Sequence, residues 1–239
     1  MQEVRSPMFT GPRILILMIL IATTALLRGY AQGDDIIEQH LKLMQSAVAT
    51  GDLERVQKLL KTPYVSADDS FNGIPFLLLA ALRGHDDVVE ALLAAGANPT
   101  RVTYDGGQTF LMEAVNGGNY STVVLVLKRL KEYFARARPP LPYDFKSCIN
   151  QKSFPGGSYL NDVTALWYAV RSGSDSSLQI VELLIENGAD PNIRLHGVNN
   201  ETVLTMTRCS PGYGRCPANG VDPQFAEKVA YLLKHGATY

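Results

Sequence analysis

The chain has few of the side chains that build reactive or metal-binding centres. Its 239 residues include three cysteines, four histidines and one tryptophan. The histidines are scattered without a His-Glu-x-x-His spacing, and the cysteines lack a nearby second pair of ligands, so no metal site is predicted. No histidine or carboxylate can be assigned from the sequence to activate a nucleophile. We therefore predict a protein that is not an enzyme, has no catalytic residues and binds no cofactor.

A strong charge of one sign is also absent. The chain has 22 basic and 23 acidic residues, a formal net charge of −1. This balance provides no basic surface of the kind that binds nucleic acid. A hydrophobic content of 46% with 19% charged residues is typical of a folded globular protein. We expect a folded chain with no nucleic-acid partner.

The N-terminus carries an uncharged apolar run of 14 residues, 14–27, directly after Arg13. That length suits the core of a signal peptide and falls short of the roughly 20 residues of a membrane-spanning helix. Small residues before the break predict cleavage after Ala31. Residues 1–31 would then be a signal peptide and residues 32–239 the mature domain, with an uncleaved membrane anchor as the alternative.

An internal repeat follows. A small alanine recurs with spacings of 33, 34 and 55 residues, at Ala47, Ala80, Ala114 and Ala169. Two of these alanines end a Thr-x-Leu-x-x-Ala motif, residues 109–114 and 164–169. A Gly-Ala-Asn or Gly-Ala-Asp turn closes the apolar-periodic segments 85–98 and 180–190. A period in the low thirties with this turn resembles the ankyrin repeat, a β-turn followed by two antiparallel helices.

The resemblance implies an all-α ankyrin-repeat solenoid of about five helix-turn-helix repeats with short finger turns. In this frame the repeats are 38–70, 71–103, 104–158, 159–195 and 196–239. Threonine is predicted to cap the inner helices, where the small alanine allows close packing. Each outer helix is predicted to bury apolar residues at i, i+3 and i+4, as in Val89, Leu92 and Leu93, or Val229, Leu232 and Leu233.

Two segments depart from the period. The insertion at 131–158 is rich in proline, arginine and aromatic residues, and two interpretations stand side by side: a binding arm, or a strap packed on its own repeats. In the loop 208–222, Cys209 and Cys216 bracket a turn-rich stretch and are predicted to form a disulfide in an oxidising compartment. Cys148 is left unpaired, and we expect it to be buried, with an intermolecular bridge as the alternative.

Partners of ankyrin-repeat proteins usually bind the concave face formed by finger tips and inner helices. The resemblance carries that surface to this chain by position only. The predicted finger-tip residues are Phe71, Asn72, Tyr104, Asp105, Tyr159 and Leu160. On the inner helices and their starts the candidates are Arg83, Gln108, Asn116, Trp167 and Arg171, with Arg136, Arg138 and Tyr143 of the insertion beside them.

The chain also resembles small exported bacterial ankyrin-repeat proteins. That resemblance implies a non-enzymatic module that binds another protein, is a monomer when unbound and resides in the periplasm. It further suggests an inhibitor or immunity protein for a secreted toxin or lipase. The alternatives are a redox or enzyme accessory protein that acts through Cys148, and a membrane-anchored scaffold; secretion is the alternative location.

Overall fold

A computed structural model describes five parts of the chain, residues 35–137, 142–154, 162–195, 202–207 and 225–239. Several predictions lie outside these residues: the signal peptide, the Cys209–Cys216 disulfide, and the side chains of Arg138, Tyr159 and Leu160. Within the described parts, none of the helices combines the length and apolar character needed to cross a bilayer.

The described elements are mainly short helices in sequential pairs. In chain order they are α1 (35–50), α2 (Leu53–Leu59), β1 (Ser70–Phe71), β2 (Ile74–Pro75), α3 (Phe76–Arg83), α4 (Asp86–Ala94), α5 (Phe110–Gly117), α6 (Tyr120–Arg136), α7 (Phe145–Ile149), α8 (Ala165–Arg171), α9 (Ser177–Glu186) and α10 (Ala226–Lys234). In the last repeat a 3₁₀ turn, Thr205–Thr207, precedes α10.

The helices form two layers that share one core. Inner helices α3, α5 and α8 pack side by side, while outer helices α4, α6 and α9 cover them. Ala80, Ala114 and Ala169 are fully buried between the inner helices, where a larger side chain would force the axes apart. The predicted all-α ankyrin solenoid is therefore confirmed.

Threonine caps two of the inner helices, as the motif predicts. Thr109 Oγ1 accepts a hydrogen bond of 3.2 Å from the Met112 amide, and Thr164 Oγ1 accepts one of 3.3 Å from the Trp167 amide. Each bond satisfies a backbone donor that the first turn of a helix leaves unpaired. Pro75 precedes α3 and makes no side-chain cap.

The third member of the predicted outer-helix stripe is buried in α6, at Leu127, but is only half-buried or exposed in the other outer helices. Val229 and Leu232 are buried, but Leu233 is 45% exposed. The third buried position is instead the residue before the valine, as at Val88 in α4 and Ile180 in α9. In α4, α9 and α10 the positions i−1, i and i+3 therefore face the stack, and i+4 lies at the edge of the interface.

The described parts of the 131–158 insertion pack on the repeats. Residues 131–136 extend α6, whose Lys131 lies 5.4 Å from the ring centroid of Phe145 in α7. Asn150 then contacts the fourth repeat, accepting a 2.8 Å hydrogen bond from the Asp190 amide and donating one of 3.0 Å to the Gly188 carbonyl. These contacts favour the strap over the arm.

Helix α7 also accounts for the unpaired cysteine. Cys148 is 6% exposed, forms no disulfide and lies beside the buried Ile149. Its expected burial is confirmed.

Candidate functional site

The first finger is a two-residue hairpin turn. Strands β1 and β2 pair Phe71 with Ile74, and the turn residues Asn72 and Gly73 have φ values of 51° and 78°. Two successive positive φ angles suit a tight hairpin, for which Asn-Gly is a favoured sequence. Asn72 is exposed at the tip, as predicted, whereas Phe71 is half-buried.

The second finger rests on the first. The Tyr104 amide donates a 2.9 Å hydrogen bond to the Gly73 carbonyl, and the Tyr104 side chain is 88% exposed. Asp105 beside it is also exposed, and Gln108 at the base is half-buried. A backbone bridge between Val102 and Thr109 closes this finger just before α5. The finger therefore presents an aromatic ring and a carboxylate to solvent.

A pocket of about 300 Å³ opens between the ends of α5 and α8. It is lined by Asn116, Trp167, Tyr168, Arg171 and Ser172, which we call the inner pocket. Asn116 and Arg171 occupy the same position in successive repeats, two residues after Ala114 and Ala169, so inner-helix packing places them side by side. Three predicted binding residues, Asn116, Trp167 and Arg171, are thereby brought together.

Trp167 forms the floor of the inner pocket. It is only 3% exposed, and its ring meets Tyr168 edge-on with centroids 5.2 Å apart. Among the described residues, its Nε1 is the buried side-chain polar atom without a hydrogen-bond partner. Leaving a buried donor unpaired costs about 1–3 kcal/mol. The fold therefore retains an indole N–H that no residue of the described chain satisfies.

Arg171 covers the same ring. Its guanidinium carbon lies 4.9 Å from the centroid of Trp167, within the range of a cation–π contact. The side chain is exposed, and it forms no ion pair within the described parts of the chain. Stacking holds the guanidinium in place and leaves its donors free for a ligand.

An acidic group lies behind the pocket. Burial raises the pKa of the Glu113 carboxyl, the charge of Asp105 raises it further, and a hydrogen bond with Asn116 lowers it. Burial also raises the pKa of the Tyr168 hydroxyl, which a hydrogen bond with Gln108 partly offsets. Predicted residues of the second finger and the inner helices therefore share one polar network.

The other candidates lie outside this network. Arg83, at the end of α3, is exposed but does not line the inner pocket. Arg136 lines a different groove, of about 1000 Å³, with Glu90 of α4 and Arg129 of α6. Tyr143 packs edge-on against Phe134, with centroids 5.6 Å apart. The prediction that Arg136 and Tyr143 lie beside the inner-helix candidates is wrong, because α6 continues through Arg136 in the outer layer.

Sequence reasoning missed Glu113, Tyr168 and Ser172. The sequence did carry a signal for two of them. Glu113 and Tyr168 each directly precede the alanine that marks an inner helix, Ala114 or Ala169. In an inner helix that position adjoins the small residue at the interface between repeats. A polar side chain there indicates a buried network, whereas Leu79 fills the same position before Ala80.

Neither metal nor thiol chemistry gains support. No group of three or more potential metal ligands occurs within the described ranges. Burial raises the pKa of the Cys148 thiol to about 11, so the reactive thiolate is scarce at neutral pH. The arrangement is suited to binding.

Comparison with known proteins agrees with this geometry. A family model for ankyrin repeats, in three copies, matches residues 43–136, and a single ankyrin-repeat model matches residues 161–195. No curated protein matches the chain. The two matches together span more than half of the 239 residues, and the chain belongs to the ankyrin-repeat family. Its repeats support a role as a protein–protein interaction module, a role more typical of this family than catalysis.

Proposed function

We propose that the chain is a non-enzymatic binding module whose partner docks on the concave face, across the second finger and the inner pocket. The observation that carries this proposal is the inner pocket itself, where a stacked guanidinium and an unpaired indole N–H lie together. An exposed guanidinium held in place on a packed surface is a group that a partner can pair. The exposed Tyr104 ring would extend the contact along the finger.

Binding on such a surface would rely on shape that exists before the partner arrives. The inner helices are held by the buried alanines, and the finger is joined to its neighbour through Tyr104 and Gly73. A surface built on packed elements loses little conformational entropy when it binds. We therefore expect a partner to meet a preformed site.

We further propose that the protein is exported and inhibits or neutralises a secreted toxin or lipase in the periplasm. The apolar run 14–27 supports export, and the resemblance to exported ankyrin-repeat proteins supports the inhibitory role. The burial of Cys148 counts against the redox alternative. The described parts of the insertion would act as a strap that supports the stack.

Site-specific cross-linking in the native cells tests the docking surface. A photo-reactive phenylalanine analogue replaces Asn116 at the inner pocket or Lys128 on α6; both positions are exposed. We expect a discrete adduct with one protein from position 116 and none from position 128. Equal labelling from the two positions, or no adduct from position 116, would contradict the proposed surface.

Identification of the adduct tests the finer role. If the partner is a secreted hydrolase or toxin, the purified chain should inhibit its activity at a one-to-one ratio. A partner without such an activity would exclude the inhibitor role and leave the binding module intact. N-terminal sequencing of the exported protein tests cleavage: a start near Gln32 excludes the membrane-anchored scaffold.

A further inference from the structure

The residues that line the inner pocket have an asymmetric chemistry. Among the described residues that line it, Arg171 is the one charged side chain, and Asn116, Tyr168 and Ser172 are polar. Glu113 is not among these lining residues. Within the described lining, an acidic ligand would therefore meet a guanidinium and no carboxylate.

Two residues that line the pocket carry hydrogen-bond donors without an acceptor in the described chain. The indole Nε1 of Trp167 is buried without a partner, and the Arg171 guanidinium, stacked on the same ring, forms no ion pair in the described parts of the chain. An indole N–H can only donate, and a guanidinium has several donors and no acceptor. Because Nε1 is enclosed, the exposed guanidinium is the donor that a ligand in the pocket meets, and it favours an anionic ligand with acceptor oxygens.

We propose that the inner pocket is an anchor site for one carboxylate side chain, Asp or Glu, that projects from the partner protein. A carboxylate has two oxygens that match the planar fork of Arg171, whose guanidinium is held over the Trp167 ring. A volume of about 300 Å³ suits a single side chain and is small for a drug-sized ligand. This inference rests on the proposed function, because it assumes that the occupant belongs to a protein.

The lone tryptophan makes the anchor directly measurable. The chain has one tryptophan, so a ¹⁵N-labelled sample gives one indole N–H resonance, which reports on Nε1. The protein purified after expression of the full chain is titrated with N-acetylglutamate methylamide, whose side-chain carboxylate is its only charge. The matched neutral probe is N-acetylglutamine methylamide, which has almost the same shape.

We expect the glutamate probe to move the indole resonance in a saturable manner. The glutamine probe should bind at least about tenfold more weakly, since charge-assisted hydrogen bonds are the stronger class. Arg171→Gln should weaken the glutamate probe by a similar factor, while Arg83→Gln, at an exposed arginine outside the pocket, should leave it unchanged. The indole resonance of each variant in the absence of probe shows whether the pocket is still folded.

The proposal is overturned if the glutamate probe produces no saturable shift, if the two probes bind alike, or if Arg171→Gln has no effect. Its failure can be separated from failure of the proposed function. An adduct from position 116 together with a silent titration leaves the docking surface and removes the carboxylate anchor. A saturable titration with no adduct from position 116 identifies a site for free small carboxylates and removes the protein partner.

Discussion

At the scale of single residues, three buried ionisable groups show how the fold uses polarity. Burial raises the pKa values of Glu113 and Cys148 and lowers that of Lys228. In each case the low-dielectric interior disfavours the charged form. Glu113 and Lys228 have polar partners, whereas Cys148 behaves as a small apolar side chain in α7. Stability from Glu113 and Cys148 is therefore lost as the pH rises, whereas stability from Lys228 is lost as the pH falls.

Cys148 should make the protein less stable in alkaline solution. Its pKa rises from 9.0 to about 11 on folding, so the folded state retains a proton that the unfolded chain has lost. Stability from this group is complete below about pH 9 and decreases as the pH rises through 11. Between pH 8 and pH 11, the wild type should lose about 2 kcal/mol more unfolding free energy than Cys148→Ala.

Urea unfolding of both proteins across that pH range measures the difference in their unfolding free energies. Because both proteins contain the same tyrosines, the contribution of tyrosine titration cancels in this difference. Parallel pH profiles would show that the thiol is not buried as described. Rapid labelling of Cys148 by a thiol reagent in the folded protein would also show that the thiol is accessible, and it would support a reactive role for Cys148.

Glu113→Gln should stabilise the protein at neutral pH. Glutamine preserves the shape and can still bond to Asn116, but it removes a buried carboxylate whose pKa is raised. For a raised pKa, the wild type has its full stability below the unfolded value of 4.5 and loses it as the pH rises. The gain should lie within the roughly 0.5–2 kcal/mol of single stabilising substitutions.

The advantage of Glu113→Gln should disappear near pH 4, where both proteins are neutral at this position. Thermal unfolding at pH 7 and pH 4 tests this pattern. A variant that is equally stabilised at both pH values would assign the effect to packing.

At the scale of elements, α3 and α5 approach each other closely at Gly117. A Cβ atom placed on Gly117 would collide with the backbone carbonyl of Leu82. Backbone cannot yield as a flexible side chain does, so this contact sets the distance between the two inner helices. Position 117 therefore requires glycine, because the Leu82 carbonyl leaves no room for a side chain.

Gly117→Ala should therefore destabilise the protein by roughly 1–3 kcal/mol, the usual effect of overpacking. The sign opposes helix propensity, which favours alanine over glycine by about 1 kcal/mol. Gly173→Ala is the matched control, because a Cβ at Gly173 meets nothing within 4 Å. Chemical denaturation compares the two; an unchanged or increased stability for Gly117→Ala would disprove the close approach.

At the scale of the whole molecule, the last repeat is joined to the stack by a buried lysine. Lys228 takes the i−1 position of its outer helix and donates a 3.0 Å hydrogen bond to the Val170 carbonyl and a second bond to the Ser172 carbonyl. These acceptors lie at the C-terminal end of α8, where a cation is favoured. A polar group thus replaces the aliphatic contact that Val88 and Ile180 make in earlier repeats.

Lys228→Ala should loosen the terminal helix selectively. Loss of hydrogen bonds from a charged donor costs about 1.5–3 kcal/mol, and in a solenoid each repeat contacts only its neighbours. Amide hydrogen exchange should accelerate in residues 226–234 and stay unchanged in residues 35–59. Lys234→Ala, at an exposed position on the same helix, should change neither segment. Uniform acceleration along the chain would indicate one cooperative unit instead.

The sequence by itself determined the repeat architecture, because the determinants are local. Thr109 and Thr164 cap helices from within one turn, and an alanine that recurs after 33, 34 and 55 residues marks the inner helices. Such patterns can be read without knowing the neighbours. The same logic located Asn116, Trp167 and Arg171, which occupy inner-helix positions that the repeat frame defines.

Only the tertiary structure decided which candidates form a site. The stacking of Arg171 on Trp167, the unpaired Nε1 and the placement of Glu113 behind Asn116 depend on how α5 and α8 pack against each other. The continuation of α6 through Arg136 moved that residue and Tyr143 away from the inner pocket. These features arise from contacts between repeats and from helix rotation, which a single-sequence period of about 33 residues does not specify.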